Sequence, residues 1–118
     1  MKKTIKLKKN YEFNNTFKKG KYFSGSYIEC FYIKNNKKNN YLGIAISSKI
    51  CNAVKRNKIK RLICEAYRNL ENSINNGNTF VFLLKKNTDV EKCSYNNIFE
   101  DVRKIFQKIG IINEGNNN

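Results

Sequence analysis

The chain has no histidine, no proline and no tryptophan, and only nine carboxylate side chains in 118 residues. Each absence removes something. Without histidine, the usual general base near neutral pH is missing. The carboxylates run from Glu12 and Glu29 through Glu65, Glu71, Asp89, Glu91, Glu100 and Asp101 to Glu114, too scattered in sequence to suggest a tight set holding two metal ions. Nuclease or hydrolase chemistry carried by the protein's own side chains is therefore poorly supplied. The composition argues for a binder, and neither a catalytic residue nor a metal ligand is assigned. The four cysteines, Cys30, Cys51, Cys64 and Cys93, form no CxxC pair, so without histidine a zinc site would need all four to converge. Reduced thiols, some buried as small apolar groups, are the simpler reading. No apolar run reaches the length of a membrane span, and none follows the lysine-rich start MKKTIKLKKN. These features suggest a cytoplasmic protein. With proline absent, turns fall to glycine and asparagine.

What the chain has in excess is positive charge. Lysine and arginine number 24, for a formal net charge of +15. Such an imbalance costs stability through self-repulsion, and a polyanionic partner relieves it. Nucleic acid is the usual partner, and an acidic membrane surface is the competitor. The length suits one domain, read as 1–110, with a disordered tail over 111–118.

Residues 1–9 read as a basic arm without periodicity. NYEFNNTFKKG predicts a short helix capped by Asn10 and ended by Gly20, with Phe13 and Phe17 on one face. YIECFYIK, 27–34, predicts a strand, and YLGIAIS, 41–47, predicts its hairpin partner across NNKKNN. In the second strand Leu42, Ile44 and Ile46 make an apolar face, while Gly43, Ala45 and Ser47 make a face of small residues. Small residues there suit either a closely packed helix or a shallow cleft for a ligand chain. A long helix over 52–73 follows, capped by Asn52, with Ile59, Leu62, Ile63, Ala66, Leu70 and Ile74 as its buried stripe. TFVFLL, 79–84, reads as a central strand buried on both faces. Ser94 caps a last helix whose stripe is Tyr95, Ile98, Phe99, Val102, Ile105, Phe106 and Ile109. The order α-β-β-α-β-α implies a two-layer α+β sandwich.

The densest positive charge, AVKRNKIKRLICEAYR, lies on the long helix. Opposite its apolar stripe, Asn57, Arg61, Cys64 and Arg68 align, flanked by Lys58 and Lys60. A charged row is often only a solvated face. Here, however, the charges over 55–61 share one sign, which excludes an i, i+4 ion-pair ladder. Lys55 and Arg56 stand in the first turn, where cations oppose the helix dipole and a bound anion would relieve them. Phe13, Phe17 and Phe31 supply rings that could stack on single-stranded bases, although core packing explains Phe13 and Phe17 equally well.

The stretch LGIAISSKICNAVKRNKIKRLICEAYR resembles the signature of the bacterial ribonuclease P protein subunit. In that signature a strand and a Ser-Lys-Lys turn lead through Gly-Asn-Ala-Val to Arg-Asn-Arg-x-Lys-Arg on a helix. Asn52–Ala53–Val54 and the run Arg56 to Arg61 match it, and the resemblance extends over about residues 5 to 109. Lys58, Cys51, Ser48 and Cys64 depart from the pattern. Cys51 replaces a glycine, a residue that often marks positive φ.

The resemblance implies a ribosomal protein S5 domain 2-like fold with a left-handed βαβ crossover. It implies a protein cofactor of ribonuclease P, in which a catalytic RNA using Mg²⁺ removes the 5′ leader of precursor tRNA. The residues it implies toward the ribonuclease P RNA are Lys55, Arg56, Asn57, Lys58, Lys60, Arg61 and Arg68. Those it implies for a leader-binding cleft are Phe13, Phe17, Lys18, Phe31, Ser47 and Lys49, with Lys19 also at the rim. No cofactor is expected on the protein alone. A general RNA-binding protein, of ribosomal or chaperone type, is the alternative.

Overall fold

The run TFVFLL lies at the centre of a five-stranded sheet, in a computed structural model described over residues 4–112. Five strands and three helices follow one another along the chain: β1 (Thr4–Lys6), α1 (Asn10–Lys19), β2 (Lys21–Ser24), β3 (Ile28–Lys34), β4 (Asn40–Ala45), α2 (Ala53–Leu70), β5 (Asn78–Leu84) and α3 (Tyr95–Ile109). The sheet order is β1-β4-β5-β3-β2. β5 runs parallel to β4 and antiparallel to β3, so both its edges are paired; helices lie on both faces of the sheet at this strand, and its apolar run is continuous. Thr79, Phe80, Val81 and Phe82 are all buried.

This arrangement corrects the expected hairpin. β3 and β4 do not pair, because β5 inserts between them. The faces survive the correction, since the register places Phe31, Val81 and Gly43 in one row across three strands. Two short strands are additions to the expected order. β1 turns the supposedly featureless basic arm into a parallel edge beside β4, and β2 follows Gly20 directly and pairs with β3.

Helices α2 and α3 cover one face of the sheet and form the two-layer sandwich with it. Ile59, Ile63, Ala66 and Leu70 are buried as expected, and Leu62 is only partly so. Tyr67, outside the predicted stripe, is fully buried. Its hydroxyl lies 2.7 Å from Thr4 Oγ1, which also donates to the Glu71 carboxylate at 2.6 Å, so β1 is fastened to α2. Asn52 caps α2 by accepting the Lys55 N–H at 3.0 Å. The helix ends at Leu70, short of the expected 73, in a 3-10 turn at Glu71–Ser73.

Ser94 caps α3 through the Asn97 N–H, and Gly110 ends it at φ 91°. The predicted stripe omits Asp101, which is 4% exposed. Its carboxylate accepts the backbone N–H groups of Ser26, Tyr27 and Ile28 at 2.9, 2.6 and 3.1 Å, fixing the β2–β3 turn to the helix.

On the other face α1 packs alone. Its N-cap is Lys9, one residue before the expected Asn10, because Glu12 reaches back to accept the N–H groups of Lys8 and Lys9. At the far terminus the expected tail begins later than 111. Ile111 is buried and Ile112 bridges Ile74. The rest of that expectation, over 113–118, lies outside the described residues, as do positions 1–3 of the arm.

Candidate nucleic-acid interface

Helix α2 sorts its cations by what surrounds them. Asn57, Lys58, Arg61 and Arg68 are exposed, and Lys60 is half-buried at the margin of the helix's packed side. Among the described residues none of these four cations joins an ion pair. The first-turn pair behaves differently from expectation. Lys55 Nζ sits 2.6 Å from the Glu91 carboxylate, which approaches from a 3-10 turn at Val90–Lys92. That contact raises the Lys55 pKa and lowers that of Glu91. Both groups are largely exposed, so the pair is weak and breakable. Arg56 is partly buried and donates from Nη1 to the Cys51 carbonyl at 2.8 Å. The chain thus supplies its own acceptors for the two cations that appeared to require a bound anion.

Helix α1 crosses the sheet's other face from β4 to β3. Phe13 lies over Gly43, where an added Cβ would come within 2.6 Å of its ring, so the small residue admits the helix closely. Phe17 meets Phe31 edge-on at 5.2 Å between ring centroids. Of the two explanations for the small-residue face, close helix packing holds at Gly43. Beyond the helix, toward Glu29, Leu83 and Ala45, the register continues the face, and among the described residues no second helix lies over it. Ser47 is not on that face, since β4 ends at Ala45. Ser47 instead holds the following turn, accepting the Lys49 N–H on its side chain and the Ile50 N–H on its carbonyl. Ser47 and Lys49 are exposed at the same end of the sheet as the start of α2. Lys18 and Lys19, placed by expectation at this cleft, instead line a groove containing Ile33, Thr79 and Tyr41.

One residue of this face was not expected. Tyr22, half exposed on β2, meets Phe31 at 5.4 Å and extends the aromatic row. Its hydroxyl donates to the Glu29 carboxylate, and that bond raises the Tyr22 pKa. The alternation in KYFS signals this strand, but four residues are too few to stand out against the adjoining helix.

A family model described as Ribonuclease P matches residues 1–110. The chain is 34% identical over 112 residues to the ribonuclease P protein component of Clostridium botulinum (strain 657 / Type Ba4), covering 94% of this chain and 99% of that one. The chain belongs to the ribonuclease P protein family. The corresponding protein component of Clostridium kluyveri is 35% identical over 108 residues, covering 90% of this chain and 95% of the relative. The solved ribonuclease P protein of Staphylococcus aureus superposes with a TM-score of 0.77 at 26% identity, covering 92% and 97% of the two chains. That of Thermotoga maritima gives 0.79 at 25%, covering 88% and 96%.

The departures from the ribonuclease P signature have local explanations. Cys51 does not occupy a left-handed position: among the described residues, the non-glycine residue with positive φ is Asn36. The glycine-to-cysteine change therefore carries no backbone strain, and the Cys51 carbonyl serves Arg56. Cys64 is partly exposed on the basic row, where it interrupts the charge without disturbing packing. Lys58 remains exposed and charged but lacks the planar guanidinium fork. Ser48 is exposed in the turn before α2.

Among the described residues no helix is long and apolar enough to cross a membrane. No three of their His, Cys, Asp and Glu side chains gather to hold a metal ion.

Proposed function

We propose that this chain is the protein cofactor of a ribonucleoprotein ribonuclease P and acts in the cytoplasm on the 5′ maturation of tRNA. Catalysis lies in the RNA, and the protein binds that RNA and the 5′ leader of precursor tRNA. The observation that carries this reading is the exposed row of Asn57, Lys58, Arg61 and Arg68, whose cations join no ion pair among the described residues and which is backed by a packed apolar stripe. Phosphates of a folded RNA fit such a row, with Lys60 at its edge. Lys55 and Arg56 can join by exchanging Glu91 and the Cys51 carbonyl for phosphate.

The leader follows the other face, where Phe17, Phe31 and Tyr22 offer ring edges and faces for sequence-tolerant stacking. Phe13 sets the floor, and Lys49 and Ser47 stand at the exit. Stacking in comparable single-strand sites is worth about 1–3 kcal/mol per base.

Mg²⁺ bound by the RNA supplies charge stabilisation at the scissile phosphate. Among the described residues the carboxylates do not gather into a ligand set of three. The protein's contribution is to place cations beside RNA phosphates, which lowers the electrostatic cost of bringing them together. Less Mg²⁺ is then needed for cleavage.

The test mixes a ribonuclease P RNA from a closely related source with 5′-labelled precursor tRNA at limiting Mg²⁺, where the RNA alone is nearly inactive, and titrates in this protein. Cleavage at the mature 5′ end, absent with protein alone, is expected. RNA binding without rescue would instead indicate a general RNA-binding protein. Lys60→Ala and Arg61→Ala are expected to weaken binding to the catalytic RNA, while Phe17→Ala leaves that binding intact.

A further inference from the structure

Helix α1 divides the free face of the sheet in two, and the leader reading uses one half. The other half, floored by Ile33 and Thr79, holds a groove of about 900 Å³. Lys18 and Lys19 come to it from α1, Lys34 from the end of β3, and Lys37 from the turn after it. Among the described residues none of the four takes part in an ion pair. One carboxylate, Glu12, also lines the groove, and it is engaged with the N–H groups of Lys8 and Lys9. Four ammonium groups face a single carboxylate, Glu12, around one concavity; their net repulsion is a cost in the free protein that a chain of phosphates removes.

The groove also carries aromatic faces. Lys37 Nζ stands 5.3 Å from the centroid of Tyr41, so a cation and a ring are presented together. Tyr11 is 67% exposed at the opposite wall. A second depression of about 740 Å³, at the β2 edge and lined also by Tyr22, shares Lys19, Ile33 and Lys34 with the first and adds Lys21 and Lys108. A concave track of lysines with ring faces suits a flexible strand of nucleotides. A planar acidic membrane surface can pair with lysines at the rim, but it does not enter a concavity to reach a floor of Ile33 and Thr79, as a single strand does.

We infer that this groove is a second binding site for single-stranded RNA, on the opposite side of α1 from the leader cleft. Lysines hold the phosphates, and Tyr11 and Tyr41 meet the bases. The inference rests on the chain being an RNA-binding protein and is independent of the leader cleft.

Binding of fluorescent pentauridylate to the full-length protein, followed by stoichiometric titration and by salt dependence, tests it. Two sites per chain are expected. Lys34→Glu with Lys37→Glu removes one of them, weakens that site at least tenfold, and reduces the slope of log affinity against log salt by about 1.4, for two lost phosphate contacts. Phe31→Ala removes the other. The control pair Lys6→Glu with Lys104→Glu makes the same change in net charge at exposed positions on β1 and α3 and leaves both sites. One site per chain in the unmodified protein overturns the inference, as does a lysine pair in the groove that behaves like the control pair. If the groove pair removes a site and Phe31→Ala does not, this site stands and the leader cleft falls.

Discussion

The two faces of the sheet are both aromatic, but they are closed differently. Under α2 and α3, Tyr67, Phe80, Phe82 and Phe106 are fully buried, with Phe80 and Phe106 centroids 5.0 Å apart and Tyr67 5.8 Å from Phe80. Under α1, Phe17, Phe31 and Tyr22 are spaced almost as closely, at 5.2 and 5.4 Å, and none is fully buried. Ring spacing therefore does not distinguish a core from a binding surface. What distinguishes them is the number of helices laid over the rings. Two helices seal one face, and a single helix crossing the other leaves open sheet on both sides of itself.

The largest effects are expected on the sealed face. Phe80→Ala removes a ring that touches Tyr32, Tyr67, Phe82 and Phe106, and is expected to cost about 3–5 kcal/mol in urea unfolding. Asp101→Ala leaves the Ser26, Tyr27 and Ile28 N–H groups without their acceptor at the join between α3 and the sheet. About 3 kcal/mol is expected there, since each unsatisfied buried group costs about 1–3 kcal/mol and water can reach part of the site. A loss below about 1 kcal/mol in either variant would mean that this face is less tightly closed than its burial indicates.

Phe31→Ala tests the open face. Its stability cost should be well below that of Phe80→Ala, because the ring is already partly in solvent. Its functional cost is expected to be about 1–3 kcal/mol in affinity for precursor tRNA, with mature tRNA unaffected. Titration of the holoenzyme with both tRNAs measures it. Equal losses for the two would show that Phe31 supports the fold and does not touch the leader.

The contrast between faces was partly readable from residue order alone. Period-two alternation in YLGIAIS separated Leu42 from Gly43, and a continuous apolar run marked β5 as doubly covered. The helix stripes followed from the 3.6 period. The strand order could not be read, because turn-like NNKKNN is compatible with a hairpin and nothing local reveals that a strand some forty residues later inserts between β3 and β4. β1 and β2, at three and four residues, are too short to show a period. In the candidate site, Arg61 and Arg68 were legible because helical spacing fixes direction. Lys55 and Arg56 were legible as first-turn cations, but their contacts with Glu91 and the Cys51 carbonyl were not, because these depend on tertiary approach and on the turn before the helix. That Lys18 lines the groove with Ile33 and Thr79 was not legible either, since its sequence neighbour Phe17 meets Phe31.

The smallest expected effect sharpens the contrast through α1, the one element that gives the open face its shape. Glu12 anchors the first turn of α1, and the N–H groups of Lys9 and then Lys8 hold its carboxyl below the ordinary value of 4.5. A group with a lowered folded pKa stabilises the native state above its ordinary pKa, and that contribution disappears as pH falls through the folded value. Glu12→Gln should therefore lower the melting temperature slightly at pH 7. The gap between the two proteins should shrink below about pH 4.5. Leader affinity should fall with it at pH 7, because Phe13 and Phe17 ride on the same helix, while the sealed face keeps its protection in hydrogen exchange. A melting gap that persists unchanged at pH 3 would show that the glutamate acts through packing and not through its charge.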